Sequence, residues 1–157
     1  MLKISTKLST RISIILAVIF LIGCIAGLFI LPTLTNMLIN VDDNIGNRDA
    51  ITTAGRVFVH VLAYAALLDM ILADIMLLFL LMRVKNSLVF TDLSVALIRG
   101  VSWCCMMLGL IFGLIGIYFQ LAFIVAFAGI VLGICLRVTK NVIEQATVIK
   151  SENDLTV

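Results

Sequence analysis

The chain has 157 residues, of which 63% are hydrophobic and 13% charged, about half the roughly 25% charged content of a soluble domain. That composition excludes a water-soluble globular fold, and the apolar segments leave no length for a separate catalytic module. A net charge of +2 from scattered basic residues also lacks the clustered face that nucleic-acid binding needs.

Crossing a bilayer takes about 20 consecutive apolar residues in a helix, because lipid offers no hydrogen bonds to an exposed backbone. Residues 12–31 supply the first such run, and Pro32 marks its expected end because proline cannot donate the next helical hydrogen bond. Lys3, Lys7 and Arg11 before this run resemble the start of a signal peptide, and Leu21-Ile22-Gly23-Cys24 resembles a lipoprotein cleavage box. Residues 25–31 stay fully apolar after the cysteine, so the run reads as a retained span over residues 12–34. In the segment 33–56 that follows, Asp42, Asp43 and Asn44 read as a solvated acidic turn. A calcium site would need about six to eight oxygens in a defined loop.

Residues 57–82 form the second span, interrupted only by His60, Asp69 and Asp74. The third apolar run, 101–136, would reach about 54 Å as one helix, far beyond the roughly 30 Å hydrocarbon layer. It must therefore fold back on itself. Tyr118, Phe119 and Gln120 suit a turn at the interface between lipid and water. This gives spans over 93–117 and 121–142. Thr91 is placed to cap the third helix, with Asp92 in its first turn and Phe90 and Val95 as a hydrophobic staple.

Lys3, Lys7, Arg11, Arg83, Lys85, Arg99, Arg137, Lys140 and Lys150 fall on one side of this layout, and only Arg48 and Arg56 on the other. By the positive-inside rule both termini are cytoplasmic. The expected architecture is an all-α, polytopic, four-transmembrane-helix bundle in a bacterial cytoplasmic membrane, forming one domain over 1–157 with a tail at 143–157. Membrane helices associate through small residues and hydrogen bonds. Gly23 and Gly27, Gly109 and Gly113, and Gly129 and Gly133 place a G-x-x-x-G pair in spans one, three and four. On span two, Ala65, Ala66, Asp69 and Ala73 share a face expected to pack inward.

Few residues carry chemistry. Cys24, Cys104, Cys105 and Cys135 lie in apolar runs without C-x-x-C or Cys/His spacing and read as small apolar side chains. Neither a metal nor a cofactor is expected. Asp69, near the middle of span two, costs about 2.5 to 3.5 kcal/mol on insertion scales. It reads as a proton or cation site or as a protonated carboxyl that hydrogen-bonds a neighbouring helix. Asp74 lies about 140° further around the helix, so on span two alone the two acids do not make one site. An ion pair with Arg99 is expected for Asp74. His60, near the outer end of the span, reads as structural. No G-x-S-x-G, phosphate-binding loop or H-E-x-x-H is present. No catalytic residue is assigned, and the chain is not expected to be an enzyme.

After span four, Val138, Val142 and Ile149 keep helical spacing among Arg137, Lys140, Glu144 and Lys150. The fourth helix therefore continues into the cytoplasm, its stripe either packing beneath the bundle or meeting a partner. The segment Asn141-Val142-Ile143-Glu144-Gln145-Ala146, with Ile149-Lys150-Ser151-Glu152-Asn153-Asp154-Leu155-Thr156-Val157 at the end, resembles the closing signature of the domain of unknown function 2975 family. Phe90-Thr91 with Leu97 and Arg99 resembles its second pattern, from which Ser94 departs where an Asn is expected. The family comprises bacterial membrane proteins of four predicted helices, often encoded beside a small helix-turn-helix regulator. The resemblance implies a membrane partner that holds or restrains that regulator, with Glu152, Asn153, Asp154, Leu155, Thr156 and Val157 as contact candidates. The alternative is a small transporter or proton-coupled efflux protein built around Asp69, which with so few spans would act as a homo-oligomer.

Overall fold

The computed structural model describes the backbone of residues 6–45, 52–86 and 91–154, and the side chains of 9–40, 52–86 and 91–149. It contains four helices, α1 (Thr6–Ile45), α2 (Thr53–Lys85), α3 (Asp92–Ile115) and α4 (Ala122–Asp154). Stretches of all four, Ser9–Asn40, Thr53–Lys85, Asp92–Ile115 and Ala122–Ile149, are long and apolar enough to cross a membrane. Their outward surfaces agree with this. Phe29 is 83% exposed, Leu121 78% and Phe127 71%, an arrangement that water would penalise and lipid accepts.

α1 does not stop at Pro32, contrary to the expectation from sequence. It runs through the proline for 40 residues. The Thr35 hydroxyl lies 2.9 Å from the Leu31 carbonyl oxygen and 3.2 Å from that of Pro32. These are the carbonyls one turn before Thr35, not the Leu28 carbonyl that the missing Pro32 amide leaves free; proline inside a helix is nonetheless tolerated in a membrane span. Asp42 and Asp43 accordingly belong to the last turns of α1 rather than to a solvated turn.

The other termini follow their capping residues. Thr52 accepts a hydrogen bond from the Gly55 amide at 3.3 Å at the start of α2. At the start of α3, Thr91 is in extended conformation and accepts from the Ser94 amide at 3.4 Å, the expected cap. Val95 is buried, whereas Phe90, its expected staple partner, lies outside the described residues. The chain reverses between Ile115 and Ala122. The Phe119 amide donates to the Ile115 carbonyl at 3.0 Å and the Ala122 amide to the Phe119 carbonyl at 2.9 Å. The turn at Tyr118, Phe119 and Gln120 that the hydrocarbon thickness demands is thus present.

The helices run up and down, each packed on its neighbour in sequence. α1 lies on α2, α2 on α3 and α3 on α4, while among the described residues α1 approaches neither α3 nor α4. The expected bundle is therefore an open one. Its tightest seam is between α3 and α4. A methyl group on Gly129 would come within 3.1 Å of the Cys105 carbonyl oxygen and 3.2 Å of the Gly109 Cα. One on Gly109 would come within 3.0 Å of the Ala126 carbonyl oxygen. Ser102, 1% exposed, donates its hydroxyl to the Gly133 carbonyl at 2.8 Å. The glycine pair of α1 makes no comparable seam, since Gly23 has nothing within 4 Å of its open position and Gly27 meets only the Leu67 side chain at 3.6 Å.

Gly129→Ala should therefore destabilise the protein by about 1–3 kcal/mol through overpacking against backbone, whereas Gly23→Ala should leave stability unchanged. Thermal unfolding of the two variants in the same detergent measures the difference; equal midpoints would contradict the assigned seam.

Candidate functional site

α2 lies between α1 and α3, and because those two do not meet, a cleft opens along it. The cleft encloses about 730 Å³ and is lined by all three helices, among them Leu16 and Phe20 of α1, Asp69 and Asp74 of α2, and Cys104 and Leu108 of α3. A smaller apolar cavity of about 230 Å³ follows toward the other end of α2, bordered by Thr35, Ala66 and Phe112. Met70 borders both.

The two aspartates are the charged groups of the larger cleft. Asp69 is half-buried and lines the cleft together with Cys104 of α3. Asp74 is only 4% exposed. One oxygen of each carboxylate, Oδ2, is sealed from solvent without a hydrogen-bond partner. The angular argument from α2 alone separated these acids into different sites. Both nevertheless border one cleft, because it is bounded by three helices and not by α2 alone.

The expected Asp74–Arg99 ion pair is also corrected. Arg99 Nη2 lies 3.5 Å from Glu144 Oε1, and Glu144 also bridges to Lys140 one helical turn earlier. The cause is the length of α4, which carries Glu144 alongside the first turns of α3. Arg99 is more than half exposed there, so its charge stays solvated while Asp74 remains inside.

His60 is separate from this cleft. Its Nδ1 lies 2.7 Å from the Arg56 carbonyl oxygen one turn earlier, a local contact within α2 that fits the structural reading. Nearby, the Phe58 and Tyr118 rings, 6.3 Å apart, tie the start of α2 to the α3–α4 turn. Of the tail residues, Glu152, Asn153 and Asp154 close α4, and Leu155, Thr156 and Val157 lie outside the described residues. The stripe of Val138, Val142 and Ile149 is not packed beneath the helices, each side chain being exposed.

Two polar contacts carry no obvious sequence signal. Arg83 Nη2 donates to Thr91 Oγ1 at 2.9 Å and its Nε to Ser94 Oγ at 3.2 Å, locking the end of α2 to the start of α3. Ser94 is fully buried, which favours a small hydroxyl at this position. On the α3–α4 side, the Arg137 guanidinium sits 4.7 Å from the centre of the Trp103 ring, a cation–π contact. No group of three or more His, Cys, Asp or Glu side chains able to hold a metal occurs among the described residues.

Four helices of this length and polarity, in up-and-down order with outward-facing apolar side chains, define an all-α, multi-pass protein associated with the lipid bilayer. Residues 43–157 match the model of the family described as "Protein of unknown function (DUF2975)", and the chain belongs to that family. Comparison with curated proteins and with solved structures finds no match.

Replacing Arg83 with Ala should cost about 1.5–3 kcal/mol, the range for hydrogen bonds to a charged group. Arg83→Lys should not restore stability, because an ammonium cannot reproduce the fork that reaches both hydroxyls. Recovery of the native unfolding temperature by lysine would contradict that geometry.

Proposed function

We propose that this protein is a non-enzymatic membrane partner that binds and restrains a cytoplasmic helix-turn-helix regulator. The observation that carries the reading is the reach of α4. At 33 residues it extends about 50 Å, well beyond the roughly 30 Å of hydrocarbon. Its far end presents the exposed side chains Val142 and Ile149 with the Lys140–Glu144–Arg99 charges beside them. An apolar stripe edged by charge is the pattern by which one helix recognises another. The basic residues support a bacterial cytoplasmic-membrane topology in which this end, the α2–α3 connection and both termini face the cytoplasm. The regulator itself is suggested by the family's gene neighbourhood, and the surface available to it comprises residues 83–99 and the tail from Lys140 onward.

Truncation after Ser151 should abolish co-purification with a helix-turn-helix regulator of the kind encoded beside members of the family, while leaving the protein in the membrane. Undiminished co-purification would remove the tail from the interface. A reporter fused after Val157 should be active only in its cytoplasmic form.

The second reading, a small oligomeric transporter or proton-coupled efflux protein, is favoured by one observation: Asp69 borders a cleft that also contains Asp74. On this reading Asp69→Asn should abolish ion or drug flux in vesicles containing the purified protein. Flux that survives the substitution would exclude Asp69 as the coupling group.

A further inference from the structure

The α1–α2–α3 cleft presents an unbalanced charge. Asp69 and Asp74 both line it, and no lysine, arginine or histidine does among the described residues. Asp74 is more than nine-tenths buried, and its Oδ2, like that of Asp69, has no hydrogen-bond partner. A carboxylate in a membrane interior requires a counter-charge or a donor, and for these oxygens the protein supplies neither.

Two features specify what would complete the site. The first is size: about 730 Å³ falls within the roughly 300–1,000 Å³ of small-molecule pockets. The second is the wall. Leu16, Phe20, Leu77, Leu81, Val101 and Leu108 surround the two acids, so a ligand must bury hydrocarbon as well as charge. A calcium ion would demand about six to eight oxygen ligands, whereas the side-chain oxygens lining this cleft come from two carboxylates and the Ser13 hydroxyl. Because α1 and α3 do not pack on each other among the described residues, the cleft is open between them.

We infer that the cleft between α1, α2 and α3 binds an apolar organic cation, with Asp74 as the principal counter-ion and Asp69 as the second. The Asp74 side chain turns toward the cleft to meet the positive centre, and the leucine and phenylalanine side chains cover the hydrocarbon. This goes beyond the partnership proposed for the tail and does not rest on it, since it concerns a different part of the molecule and binding alone.

The test uses the full chain in phosphatidylcholine nanodiscs with radiolabelled tetraphenylphosphonium as probe and empty nanodiscs as the blank. Saturable binding approaching one probe per chain is expected. Asp74→Asn should weaken it at least tenfold, and Asp69→Asn with Asp74→Asn should abolish it. Ala73→Phe, which fills the cleft but keeps both acids, should also prevent binding. On the unmodified chain, a hundredfold excess of triphenylphosphine oxide, an uncharged analogue, should displace little of the probe. The inference is overturned by no saturable binding above the blank, by native affinity in the double Asn variant, or by equal displacement with the uncharged analogue. The displacement experiment needs no variant and decides the matter even where a substituted chain fails to fold.

Discussion

The contact between Gly109 and Gly129 anchors the helix arrangement. In lipid, apolar side chains gain nothing by leaving their surroundings, so helices hold together through close packing and hydrogen bonds. The α3–α4 hairpin has both. Two glycines bring backbone against backbone, the Ser102 hydroxyl spans the same seam to Gly133, and the Trp103–Arg137 contact adds a third link. α2 leans on this hairpin, with Met76 filling the space over Gly100 and Arg83 clasping Thr91 and Ser94. Among the described residues α1 is held through α2 alone.

The buried aspartates are consequently kept away from the closest packing. On the α3–α4 side the interhelical space is closed by glycine, and the acid that bridges these two helices, Glu144, is half-exposed and paired with Arg99 and Lys140. On the α1–α3 side the separation is larger: among the described residues α1 packs on α2 and not on α3. The two aspartates occur on that looser side. A carboxylate in a glycine-tight seam would have nowhere to place its charge, whereas beside an open cleft it can find a partner brought from elsewhere. Arg99 does not serve, since the length of α4 engages it with Glu144 instead.

Much of this architecture can be read from residue order. Four apolar runs, a third run too long to cross once, and Thr91 ahead of Asp92 are local signals, and each is governed by a single physical limit: bilayer thickness or an uncapped helix end. The end of α1 was not legible, because proline's lost hydrogen bond is visible in sequence whereas the tolerance of a lipid-embedded helix for it is not. Nor was the grouping of Asp69 with Asp74. A helical wheel reports angles around one helix, while the cleft is a property of three. Ser102 and Arg83 were hidden for a related reason, as their partners lie 31 and 8–11 positions away. The glycine pairs illustrate the limit well: all three look alike in the sequence, yet only those of α3 and α4 meet across a backbone contact.

That among the described residues each helix packs only on its neighbours along the chain has a consequence for how the molecule is made. As a nascent polypeptide is inserted segment by segment, the mate of each helix is always the one released immediately before or after it. No early helix has to wait, uncovered, for a distant late one. Such low contact order favours rapid assembly, and it allows the protein to grow laterally in the bilayer, from first helix to last, without rearranging what is already in place.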